Sequence, residues 1–273
     1  MQTLDVGGHK VGYLAEGAGD LVVFAHCSLG FSGLFLPCIR GLSDRYRCVS
    51  VDLPGHGRSD RGDKSISLQQ QAVRYVAALI EAEGGGPAHL VGLSLGGAIM
   101  GRVALAYPAL ARSLTLIEPI YFHLLTDSRP EFAAENLKTM EPVIEACNEG
   151  RYHDGARAFM EGWGQPGQFD RMPESGRDAI ARALAHVSRD FPMAHAWVPG
   201  QITRDDLRSI QTPTLLMEGA ATQPSASAIL DELAALMPRT ERASIPGAGH
   251  LSPVDEPAEV AARLAAFFAT LEG

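Results

Sequence analysis

The sequence predicts an α/β protein, a mostly parallel sheet wound with helices and interrupted by one helical insertion. Three observations predict it. Short apolar runs alternate with helical patterns through residues 1–119, the alternation lapses over 120–206, and it resumes over 207–273. Such alternation implies parallel pairing through right-handed crossovers. At its centre, the run His89-Leu90-Val91 passes through Gly92-Leu93-Ser94-Leu95-Gly96 directly into a helical pattern without proline.

Residues 3–15 read as two short strands around Gly7-Gly8, a hairpin signal. The continuous apolar run from Leu21 to His26 is that of a strand buried on both faces. A loop from Cys27 to Ser32 leads into a helical stretch ending near Asp44. Cys48 to Asp52 is the next strand, followed by the loop Leu53-Pro54-Gly55-His56-Gly57-Arg58-Ser59. A helix over 67–83 is stopped by Gly84-Gly85-Gly86-Pro87. After the central turn, Ser113 to Ile117 is a strand closed by Glu118-Pro119.

Residues 120–206 contain several helical patterns and both tryptophans, Trp163 and Trp197, together with Phe122, Phe159, Phe169 and Phe191. Their position after the strand that follows the central turn makes them the expected cap, inserted into a core of 1–119 and 207–273. A second helical layer of one domain is the alternative. Beyond them come a strand at Thr214 to Met217, a helix over 225–237, a strand near 240–245 and a last helix over 256–271.

Composition narrows the function. The 273 residues carry a formal charge of -9 and no basic run, which argues against nucleic acid or an anionic membrane surface. No apolar run approaches the roughly 18 residues of a membrane span. The first residues lack the basic start and apolar stretch of a secretory leader, so none is expected. Cys27, Cys38, Cys48 and Cys147 form no C-x-x-C pair and no zinc-like spacing with histidine. Reduced cysteines and a cytoplasmic location are expected, with no metal and no cofactor.

The Gly92–Gly96 turn holds the candidate nucleophile. A sharp strand-to-helix turn strains its central residue and lifts the Ser94 hydroxyl clear of the sheet, and the following helix start favours negative charge beside it. A neutral serine needs a base. Of the nine histidines, His250 stands in the glycine-rich loop Pro246-Gly247-Ala248-Gly249-His250 after the last strand, on the sheet edge where Ser94 emerges. His26 and His56 share that edge but sit in tight loops, where a structural role is expected. His89 lies at a strand start, on the opposite edge. His123, His153, His186 and His195 belong to the insertion. A carboxylate must then fix the imidazole tautomer.

Four stretches in order carry a resemblance: Phe24-Ala25-His26, Asp52-Leu53-Pro54-Gly55-His56-Gly57-Arg58-Ser59, Gly92-Leu93-Ser94-Leu95-Gly96-Gly97 and Pro246-Gly247-Ala248-Gly249-His250. Together they resemble the α/β-hydrolase superfamily over the sheet domain, which implies an eight-stranded sheet and a serine nucleophile. The serine argues against the dehalogenase and epoxide hydrolase branches, which need a carboxylate there. One departure concerns the acid. The family commonly has aspartate three residues beyond the glycine ending the next-to-last strand, and here that residue is Thr222. Some members carry the acid after the strand following the serine strand, where Glu118 lies. Glu118 is therefore favoured, with Glu218 and Asp127 as rivals. The oxyanion hole implied by the resemblance uses the N–H groups of Leu95 and Ser28. The usual His-Gly of that loop is His26-Cys27 here, so Cys27 bears on the second donor. Cys27 itself reads as a small half-buried side chain rather than a reactive thiol.

The resemblance thus implies hydrolysis of an ester or related acyl bond in a small-molecule substrate. Ser94 attacks, His250 moves the proton, and Glu118 orients His250. Phe122, Phe159, Trp163 and Trp197 are the candidate wall of a mainly apolar pocket. Carbon–carbon bond hydrolysis, amide cleavage, cofactor-free haloperoxidase activity and ligand reception without catalysis remain alternatives.

Overall fold

The computed structural model describes residues 2–63, 65–164, 166–191 and 200–271. His195 and Trp197 lie outside the described residues. Eight strands form one sheet in the order β1-β2-β4-β3-β5-β6-β7-β8. They are β1 (Gln2–Val6), β2 (His9–Glu16), β3 (Asp20–Ala25), β4 (Tyr46–Val51), β5 (Ala88–Leu93), β6 (Ala111–Ile117), β7 (Thr214–Gly219) and β8 (Thr240–Ile245). The hairpin strand β2 runs antiparallel to β1 and β4, and all other pairs are parallel. The parallel strands therefore end at one edge, and the loops that leave it build the site.

Helices cover both faces. On one side α2 (Leu68–Ala82) and α3 (Leu95–Ala106) pack on the sheet, joined by α10 (Pro224–Leu236), with Val76, Ile80, Ile99, Val103 and Ile229 in their core. On the other, α1 (Leu36–Arg40) and α12 (Pro257–Ala269) bury Ile39, Leu264 and Phe268 against Val22, Phe24 and Met217. Every residue of β5 is buried, as its unbroken apolar run requires. The start of α2 is set by a capping box: Ser67 Oγ accepts from the Gln70 N–H at 3.1 Å, and Gln70 Oε1 accepts from the Ser67 N–H at 3.2 Å.

Between β6 and β7 the described residues are helical. They include α4 (Leu125–Ser128), α5 (Pro130–Asn148), α6 (Tyr152–Trp163), α7 (Gln168–Arg171), α8 (Glu174–Val187) and α9 (Arg204–Ser209). The expected final helix is α12, and a short helix not expected from the sequence, α11 (Ser252–Asp255), precedes it; each has proline in its first turn. A proline N–H is not missed there, so both helices begin at little cost. Among the described residues no helix is long and apolar enough to cross a membrane.

Candidate active site

Ser94 caps α3 at φ 57° and ψ -115°. The described non-glycine residues with positive φ are Leu29, Ser94 and Glu118, and all three lie at the carboxyl edge of the sheet. Backbone in that region is unfavourable for an L-residue and persists only where its surroundings enforce it. For Ser94 they do. Its N–H donates to Ile117 O at 2.8 Å, and its carbonyl accepts from Ala98 N–H at 3.2 Å, opening the helix. A Cβ on Gly92 would strike the Gly96 carbonyl, and one on Gly96 would strike the carbonyl of Ala25. Gly92 thus lets β5 and α3 meet with only Ser94 between them, and Gly96 lets α3 sit against the end of β3.

Glu118 extends β6 by one residue, its N–H donating to Met217 O at 3.1 Å, before the chain turns at φ 43°. That turn lays the carboxylate across the end of β7. There Oε1 accepts from the Gly219 N–H at 2.8 Å, and Oε2 accepts from Thr222 Oγ1 at 2.6 Å. His250 Nδ1 lies 2.7 Å from the same Oε2. A carboxylate oxygen only accepts, so the Nδ1 proton is donated to it, and Nε2 keeps the lone pair a general base needs. Burial of the Glu118 carboxyl would push its pKa up. The hydrogen bonds from His250, Thr222 and Gly219, with the charge of His250, outweigh that and hold it below the ordinary glutamate range.

The rival acids lie elsewhere. Glu218 lies within β7, where it pairs with Arg242 at 2.8 Å and accepts from Ser227 Oγ. Asp127 is exposed in α4. Thr222 was set aside in the sequence because it carries no charge, yet its hydroxyl donates to Glu118, the acid favoured in its place. That partnership spans 104 residues of sequence, and no local pattern announces it.

The loop after β3 is held from beneath. His26 Nε2 accepts from the Leu53 N–H at 3.0 Å, so its proton is on Nδ1, which donates to Cys27 O at 2.7 Å. Burial lowers the His26 pKa to about 4. His56, whose Nδ1 donates to Pro54 O at 3.0 Å, is lowered to about 3, by burial first and by neighbouring His26 second. Both rings are neutral struts. The buried Asp52 carboxylate accepts from the N–H groups of Ser32 at 2.7 Å and Arg58 at 3.0 Å, tying this loop to the one after β4. A turn closes from Gly30 N–H to Cys27 O at 3.1 Å and places the positive φ on Leu29, so Cys27 bears its side chain without that strain. Burial pushes the Cys27 thiol up to about 12, which makes it unreactive.

Ser94, His250 and Ser28 line two adjoining cavities, with Phe159 and Trp163 of α6 on the wall of both. The inner one, about 40 Å³, is also bounded by Leu95, Gln69, Ile120, Phe122, Met140 and Phe191. The outer one, about 400 Å³, runs past Leu29, Phe31, Leu34, Met172, Ile180 and Val254. The Trp163 ring lies 5.1 Å from that of His250 and 5.6 Å from Phe122. Phe122, Phe159 and Trp163 thus stand where the sequence expects a pocket wall, whereas Trp197 lies outside the described residues. Gln69, Met140 and the outer rim were not foreseen. Gln69 is held from behind by Arg102 Nε, which donates to its Oε1 at 2.7 Å.

A sheet of this order, with a strained serine between its fifth strand and the next helix, defines an α/β hydrolase. The chain belongs to the Alpha/beta hydrolase family, whose profile matches residues 22–263. It is 27% identical over 264 residues to the 2-(acetamidomethylene)succinate hydrolase of Mesorhizobium japonicum, covering 90% of this chain and 87% of that one. Carboxylesterase YbfK of Bacillus subtilis is 24% identical over 270 residues, 94% of this chain and 84% of the other. Among solved structures, the enol-lactonase of Burkholderia xenovorans superposes with a TM-score of 0.77 at 18% identity, over 98% of this chain and 100% of that one. That likeness concerns the fold alone.

Proposed function

We propose that the protein is a serine hydrolase that cleaves an ester or related acyl bond of a small, largely apolar substrate. Ser94 Oγ attacks the carbonyl carbon while His250 Nε2 takes its proton and passes it to the leaving group. Water, deprotonated by the same nitrogen, then releases the acyl group from Ser94. Glu118 fixes the imidazole tautomer and stabilises the imidazolium. The N–H groups of Leu95 and Ser28 receive the oxyanion, and residues 120–206 act as a cap over the site. One observation carries the reading: His250 donates to a buried carboxylate at 2.7 Å while sharing its cavities with a serine held in strained backbone. The four free cysteines, three of them buried, suit a cytoplasmic location.

The substrate named for the Mesorhizobium relative is a succinate and carries carboxylates. The described residues lining the two cavities include no lysine or arginine, and residues 192–199 contain neither. An anionic substrate of that kind is therefore not transferred to this chain. Fluorophosphonate labelling with mass spectrometry tests the reaction class. The adduct is expected on Ser94 and lost in Ser94→Ala, with hydrolysis of phenyl acetate lost in the same variant. Labelling elsewhere, or turnover that survives Ser94→Ala, would refute it.

A further inference from the structure

We infer that the two cavities divide the substrate unequally: a short acyl group of about two to four carbons enters the inner one, and a bulky, uncharged, apolar alcohol fills the outer one. The inference rests on the acyl-transfer reading above and adds which half of the substrate goes where. The leaving oxygen must accept its proton from His250, so the group attached to it extends along the loop that carries the imidazole. Leu251 and Val254, the residues that follow His250 there, line the outer cavity and not the inner one. The acyl substituent then points the other way, past Leu95 and Ile120. Ile120 is fixed beside the nucleophile by its N–H, which donates to Ser94 O at 3.4 Å.

Size separates the two halves. The inner cavity holds about 40 Å³ and the outer about 400 Å³. A void needs roughly 10–15 Å³ to take one water-sized group, so the inner one takes about three. Its far wall is built of buried side chains, with Phe122 and Met140 packed into the core. The outer cavity instead opens past Phe31 and Val254, two large apolar side chains that are 53% and 49% exposed. Exposed apolar groups gathered at the mouth of an apolar cavity mark a surface meant for apolar contact. Cations are missing from the described lining of both cavities, so neither half gains from a carboxylate.

Two isomeric esters test the division, because they share formula, hydrophobicity and an alkoxide leaving group. Octyl acetate has the short acyl group and long alcohol, and methyl nonanoate has the reverse. The wild-type kcat/KM for octyl acetate is expected to exceed that for methyl nonanoate at least tenfold. Equal values, or a preference for methyl nonanoate, overturn the assignment while leaving Ser94 labelling by the fluorophosphonate intact. Loss of that labelling would instead defeat the underlying reaction. Met140→Ala, assayed as protein that still labels at Ser94, is expected to narrow the ratio at least threefold by lengthening the inner cavity. An unchanged ratio in that labelled variant would show that the inner wall does not limit the acyl group, and would overturn the inference as well.

Discussion

Glu118 takes hydrogen bonds from three donors, Gly219 N–H, Thr222 Oγ1 and His250 Nδ1, and these make testable claims. Glu118→Gln keeps the shape but presents an amide that no longer enforces the Nδ1–H tautomer of His250. A comparable loss in serine proteases costs about 10⁴ in kcat, so a fall of about 10²–10⁴ is expected here, with the far-ultraviolet circular dichroism unchanged. Near-normal turnover would remove Glu118 from the mechanism. Thr222→Val deletes one donor to Oε2, and kcat is expected to fall several-fold with KM little moved. Thr222→Ser keeps the hydroxyl and should recover most of the loss, an outcome that a purely space-filling role for Thr222 does not produce. The sign of the pH effect at Glu118 follows from its lowered pKa. The group contributes stability above the ordinary glutamate value, and that stability is lost as pH falls through the lowered one. Sequence reading reached Ser94 and His250 because glycines bracket them at short range. Glu118 was reached only through the family resemblance and by setting it beside rivals, since its partners at 219, 222 and 250 come from the ends of two other strands, β7 and β8.

At the scale of elements, the strand–turn–helix unit around Ser94 depends on close approach between backbones. Gly96→Ala places a methyl group against the Ala25 and His26 carbonyls, which belong to backbone and cannot swing aside. A destabilisation of about 1–3 kcal/mol or more is expected in urea unfolding, together with lost activity as the end of β3 and α3 part. A variant as stable as the wild type would show that the contact is loose. The capping box at α2 is a milder case. Ser67→Ala should cost about 1 kcal/mol by the same measurement, without altering the geometry around Ser94. Both features are local patterns, which is why the expected elements match the observed ones so closely in the sheet domain. The insertion was less legible. Its helices α4 to α9 pack by side chains that meet across long separations, so aromatic content alone suggested a pocket wall without saying which cavity each ring would bound.

For the molecule as a whole, the buried histidines set the acid limit. Burial holds His26 at about 4, His56 at about 3 and His123 at about 4. In the unfolded chain each protonates near pH 6.5. The unfolded state therefore binds more protons below that pH, and stability falls as pH drops from about 6.5 towards 4. Each ring that stays neutral contributes a slope of up to about 1.4 kcal/mol per pH unit. Urea midpoints should change little between pH 7.5 and about 6.5 and decline from there to pH 5, and a flat profile over the lower range would mean that these rings gain protons in the folded state. The sequence by itself determined the order of strands and helices, the serine turn, the histidine loop and the family. Each of these depends on neighbours within a few residues, where apolar periodicity and glycine placement act directly. Only the tertiary structure decided how Thr222 and Gly219 hold Glu118, and how the insertion and loops divide the space around Ser94 into two unequal cavities. Those features arise from side chains converging across the sheet edge, and convergence is a property of packing that no single stretch of chain encodes.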